Sequence, residues 1–93
     1  MSKKQFSSVW DAIEDTPEEA ENMKLRAGLM MALKAHMERG GLTQSDAAKL
    51  FGVTQPRVSD LVRGKINFFG LDTLVNMATA AGLQVEMTVR EVA

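Results

Sequence analysis

Five polar residues recur at close spacing in the middle of the chain: Gln55, Arg57, Ser59, Asp60 and Arg63. Their chemistry is hydrogen bonding to flat partners met edge-on. A glutamine amide suits adenine, a guanidinium suits guanine or phosphate, and a carboxylate can accept from cytosine N4. Val58 and Leu61 stand between them at a spacing of three, with Val53 just ahead. On a helix that spacing turns the apolar residues inward and the polar ones outward. Little else in the sequence promises chemistry. There is no cysteine, so disulfides, thiolate metal sites and cysteine nucleophiles are excluded. His36 is the sole histidine, and a packed or capping role outweighs one as ligand or base, since nothing of its kind can join it. Met23, Met30, Met31 and Met37 read as core filling rather than copper ligands. No nucleophile–base pair, metal cluster or phosphate loop is visible. The expectation is therefore a binding protein, not an enzyme, needing no cofactor and no metal.

The elements that position these residues are legible from caps and stops. Thr54 can cap a helix from Gln55 to about Val62, ended by Gly64. Ahead of it, Thr43 can cap a helix through about Phe51 that ends at Gly52. The connection Gly52-Val53-Thr54 is too short for the pair to lie antiparallel, so the helices cross steeply, as in a helix-turn-helix. Ala48 is small where they approach, and Gly52 stands where the turn needs a positive φ. Thr16-Pro17-Glu18-Glu19 starts a longer helix, with a capping threonine, proline in the first turn and acids at the positive end of the dipole. Leu25, Leu29, Leu33 and Met37 form its stripe, and Gly40-Gly41 stops it. Lys65 to Gly70 reads as a loop with Ile66, Phe68 and Phe69 available to pack. A fourth helix carries Leu71, Leu74, Val75 and Ala78 on one face and stops at Gly82. Then the period changes: Leu83, Val85, Met87 and Val89 alternate with Gln84, Glu86, Thr88 and Arg90, the pattern of a half-buried strand. Near the start, Phe6, Val9, Trp10 and Ile13 suggest a short amphipathic helix or an apolar docking strip.

The chain of 93 residues fits one domain. At that size only about 60–65% of the unfolded surface is buried, so a partner or second copy would add useful stability. A net charge of −1 conceals a division. Asp11, Glu14, Asp15, Glu18, Glu19 and Glu21 make an acidic run without a base, while Lys49, Arg57, Arg63 and Lys65 stand against Asp60 in the middle. The acidic run reads first as a solvated helix face and second as a surface for a basic partner. No apolar run approaches the eighteen or more residues of a membrane span, and MSKKQFSS lacks the apolar stretch of a signal peptide, so a cytoplasmic protein without membrane contact is expected. The chain divides into an N-terminal arm (1–16), a helical domain (17–82) and a C-terminal strand and tail (83–93).

The stretch TQSDAAKLFGVTQPRVSDLVRGK resembles the Xre-type, lambda-repressor-like helix-turn-helix family. Counting Gln44 as first, Ala48, Gly52, Val58 and Leu61 fall at the family's alanine, glycine and two apolar positions. The resemblance covers about Leu25 to Leu83. With VWDAIEDTPEEAE in front and GLDTLVNMATAAGLQVEM behind, the chain looks like the HigA-like antitoxin branch, whose members pair with RelE/HigB-like toxins. The resemblance implies that Gln44 contacts a phosphate and that Gln55 enters the major groove to read a base. Pro56 stands where the family often has a polar residue and would make an apolar contact, such as with a thymine methyl. Arg57, Ser59 and Asp60 are candidates for base or phosphate, and Arg63, Lys65 and Asn67 for backbone phosphates. With the capping Thr43 and Thr54, these residues make up the expected DNA-binding set.

Xre-type domains usually close with a fifth helix; here the alternating segment stands in its place. One strand cannot satisfy its own backbone. The first expectation is self-pairing across a two-fold axis through Leu83, Val85, Met87 and Val89, ahead of pairing with Phe6–Trp10 or with the sheet edge of a toxin. Such a homodimer would set two reading helices about 34 Å apart. The expected fold is mostly α, four to five helices with a C-terminal β-strand used for pairing. The expected function is sequence-specific binding to a pseudo-palindromic operator, as an antitoxin that represses its own operon. The alternative is a stand-alone phage-like repressor with no toxin partner.

Overall fold

The computed structural model describes residues 16–92. Phe6, Val9, Trp10, Ile13 and the acids Asp11 to Asp15 lie outside them. Four helices follow in order: α1 (Pro17–Gly40), α2 (Gln44–Phe51), α3 (Gln55–Val62) and α4 (Leu71–Ala80), with a 3₁₀ turn at Ile66–Phe68 between the last two.

Each helix begins and ends as its sequence dictates. The Thr16 hydroxyl accepts from the Glu19 N–H at 3.1 Å, and Pro17 takes the first position, where a missing N–H costs nothing. At α2 the capping is reciprocal: Thr43 Oγ1 accepts from the Asp46 N–H at 3.0 Å, and the Asp46 carboxylate accepts from the Thr43 N–H at 3.5 Å. Thr54 accepts from the Arg57 N–H at a longer 3.4 Å. The four described helices share one closure, in which an N–H just past the helix bonds back five residues: Leu42 to Met37, Val53 to Ala48, Lys65 to Asp60 and Leu83 to Ala78. The residue before each of these donors is a glycine with φ between 61° and 80°. A side chain there would meet the left-handed penalty, which explains glycine at Gly52 and Gly64, the two ends of the central helix pair.

The core gathers Leu33 of α1, Phe51 of α2, Val58 and Leu61 of α3, Phe69, and Leu74 and Met77 of α4. α2 packs on both α3 and α4, while α1 crosses α4, α3 and the 3₁₀ turn. On α1 the buried residues are Met23, Met30, Leu33 and Met37. This corrects the stripe expected from Leu25, Leu29, Leu33 and Met37: Leu25 is 39% exposed and Leu29 half-buried. Four residues overshoot a turn by about 40°, so a strict spacing of four drifts around a helix, whereas alternating threes and fours hold one face. His36 is half-buried on this helix.

The C-terminal strand is the second correction. Residues 83–92 form no strand, and no strand occurs among the described residues. The period of two survives only in burial. Leu83 and Val85 pack against the core while Gln84 and Glu86 are exposed, but Met87 and Val89 stand 63% and 88% exposed. A strand requires a ladder of backbone bonds, and no described segment of this chain supplies one. Among the described residues no helix is long and apolar enough to cross a membrane, and no group of three acidic or histidine side chains is placed to hold a metal.

Candidate nucleic-acid interface

α3 is the helix around which the polar candidates gather. Val58 and Leu61, both fully buried, fix its rotation. Gln55 and Pro56 then stand exposed in its first turn, with Ser59 half-buried one turn on. Proline fits there because the first-turn N–H groups have no partner within the helix. Gln44, the first residue of α2, comes alongside, and Gln44, Gln55, Pro56 and Ser59 together line one shallow depression. Two amides, a hydroxyl and an apolar ring therefore converge where the starts of α2 and α3 meet. Such a surface can enter a groove and offer donors and acceptors to base edges.

The other candidates are placed differently. Asp60 is half-buried and forms an ion pair with Arg63, with Nη2 3.6 Å from Oδ1. With Arg63 exposed and the pair open to solvent on that side, it contributes about 0–1 kcal/mol and orients the two side chains rather than anchoring the fold. Arg57 turns away from the depression. Its Nη1 donates to the Phe68 carbonyl at 2.8 Å, and its guanidinium carbon lies 5.3 Å from the centroid of the Phe69 ring. Lys65 is exposed, with its ammonium 5.6 Å from the Phe68 centroid. Asn67 is exposed in the 3₁₀ turn. Thr43 and Thr54 hold the starts of α2 and α3. The structure thus brings Gln44, Gln55, Pro56 and Ser59 to one place, and arranges Arg63, Lys65 and Asn67 at the far end of α3 and just beyond.

One contributor escapes sequence reading, Arg26; Phe68 and Phe69 were expected to pack, and Phe69 does, but their contacts with Arg57 and Lys65 were not foreseen. Arg26 on α1 donates to the carbonyls of Ile66 and Phe69, each at 3.3 Å, across forty residues of sequence. The available signal was its spacing, three after Met23 and four before Met30, which puts an arginine on the buried face of α1.

Comparison with known proteins agrees with this geometry. A family model of a helix-turn-helix domain matches residues 12–90. A solved protein assigned to the XRE family of transcriptional regulators is similar, with a TM-score of 0.73 and 32% sequence identity over 80% of this chain and 83% of that one. No curated protein matches the chain. With most of its length matched and the α2–turn–α3 pair at the centre of the match, the chain belongs to the helix-turn-helix domain family, as a member of the Xre type.

Proposed function

We propose that this protein is a sequence-specific DNA-binding transcriptional regulator whose α3 enters the major groove. The observation that carries the reading is the open depression shared by Gln44, Gln55, Pro56 and Ser59 at the starts of α2 and α3. In this reading Gln55 pairs with adenine, the Pro56 ring meets a thymine methyl, and Ser59 serves either base of a pair. Gln44 contacts a phosphate at the start of α2, where the free N–H groups and dipole favour an anion. Thr43 and Thr54 stand beside these N–H groups. Asp60, held by Arg63, is a weaker candidate for a base, and Arg63, Lys65 and Asn67 fit backbone phosphates. The function is binding and calls on no catalytic residue.

We further propose that the unit on DNA is a homodimer. Met87 and Val89 are exposed beyond Leu83 and Val85, which pack against the core. An apolar groove lined by Leu25, Leu29, Leu71, Val75, Val85 and Met87 runs beside them. A second copy related by a two-fold axis covers both and presents α3 to each half of a pseudo-palindromic operator. The exposed acids Glu18, Glu19 and Glu21 at the start of α1, together with the resemblance to HigA-like antitoxins, support a further role: sequestering a basic RelE/HigB-like toxin and repressing the shared operon. An electrophoretic shift on the chain's own promoter tests the regulator. Co-purification with the product of a neighbouring reading frame tests the antitoxin, and failure of that step alone leaves a stand-alone repressor.

A further inference from the structure

The segment from Ile66 to Phe69 joins α3 to α4 and leads the chain away from the reading surface. Arginines from two different helices grip it. Arg26, half-buried on α1, donates through Nη1 to the Ile66 and Phe69 carbonyls at 3.3 Å each, while its Nη2 lies 3.2 Å from Met23 Sδ. Arg57, on α3, donates to the Phe68 carbonyl at 2.8 Å and lies over the Phe69 ring, which is itself buried. Three of the four carbonyls in the segment therefore accept from a guanidinium. Each bond is charge-assisted, and together the pair ties the loop to α1 on one side and to α3 on the other.

We propose that Arg57 and Arg26 are positioning residues: they lock Ile66–Phe69 against α3 so that Lys65 and Asn67 stand at a fixed offset from Gln55, Pro56 and Ser59. This inference rests on the DNA-binding reading above and refines it, because it removes Arg57 from the residues that read bases. Geometry favours this. To reach guanine, Arg57 must give up a 2.8 Å charge-assisted hydrogen bond and a ring contact, a cost that Gln55 in the first turn does not carry. Base choice then falls to Gln55, Pro56 and Ser59, while the loop sets how firmly the backbone is held. Lys65, whose ammonium lies over the exposed Phe68 ring, moves with that loop.

The test has one arm without DNA and one with it. In the free protein, amide hydrogen exchange is followed at Phe68 and Phe69, whose N–H groups bond to the Lys65 and Ile66 carbonyls. Arg57→Ala, which removes one charge-assisted bond, should speed exchange there on the order of tenfold, and Arg26→Gln, which removes two, by at least as much. Unchanged rates in both variants would overturn the clamp whatever the protein binds. In the second arm, wild type and each variant select duplexes from a random-sequence pool. The expected result is one consensus for all three, with both variants binding every sequence more weakly by about tenfold. Gln55→Ala, in contrast, should lose preference at one base pair. A consensus altered at a single position by Arg57→Ala would make Arg57 a reader and overturn the proposal. Arg57→Lys keeps the charge over the ring and one donor, and should give intermediate exchange with the same consensus. This milder variant decides the case if Arg57→Ala fails to fold. If wild type enriches no sequence while exchange still responds, the DNA-binding reading fails and the clamp stands as a structural feature only.

Discussion

At the scale of single residues, the division of labour on α3 follows from where each side chain can go. Gln55 is exposed in the first turn and meets no hydrogen-bond partner among the described residues, whereas Arg57, two residues later, finds a carbonyl and a ring within reach. The type of residue was readable in the sequence; its engagement was not, because Phe68 and Phe69 lie eleven and twelve positions away and only the fold brings them back. Gln55→Ala should cost about 1–3 kcal/mol of specific binding and relax one base position, measured by titrating single-base operator variants. Lys65→Ala should weaken binding evenly across sequences and lower the salt slope by about 1. The two caps can be ranked by geometry. Thr43 shares a reciprocal pair of bonds, whereas Thr54 accepts one long one, so Thr43→Ala should lower stability by about 1 kcal/mol and Thr54→Ala by less, in urea melts of each variant.

At the scale of elements, local signals served well where the deciding contacts are local. Thr16, Thr43 and Thr54 begin helices, and Gly41, Gly52, Gly64 and Gly82 end them, as their chemistry requires. The central pair of helices was legible for this reason, with Val58 and Leu61 correctly assigned to the core. The stripe on α1 was misread because a run of apolar residues every four positions winds away from any flat neighbour. Met23 and Met30, with Arg26 between them, mark the true face. Gly52→Ala should destabilise by about 1–2 kcal/mol, since its φ of 72° is unfavourable for any L side chain; the melting temperature checks this. Phe69→Ala should cost about 3–5 kcal/mol, because a fully buried ring is lost together with the surface on which Arg57 rests.

At the scale of the whole molecule, the alternation from Leu83 to Arg90 is a property of the sequence that one copy does not convert into a strand. Alternation reports which side chains want cover; a ladder needs a neighbour's backbone as well, and that neighbour is not local. In the proposed homodimer, a second copy supplies that neighbour at the tail. Truncation after Gly82 should leave a folded monomer with weaker operator binding, observed by analytical ultracentrifugation, and a truncated protein that stays fully dimeric would refute the tail's role. The half-sites should lie about 34 Å apart, one turn of the duplex, which a footprint can measure.

In the proposed function, the start of α3 beside Gln44 reads DNA. The most direct measurement is a titration of the chain's own promoter duplex with wild type and with Gln55→Ala/Ser59→Ala, alongside a scrambled duplex of equal length. Wild type should prefer the promoter over the scrambled duplex by at least about 10³-fold, and the double variant should lose most of that preference while keeping its melting temperature. Equal preference in wild type and double variant would contradict this reading.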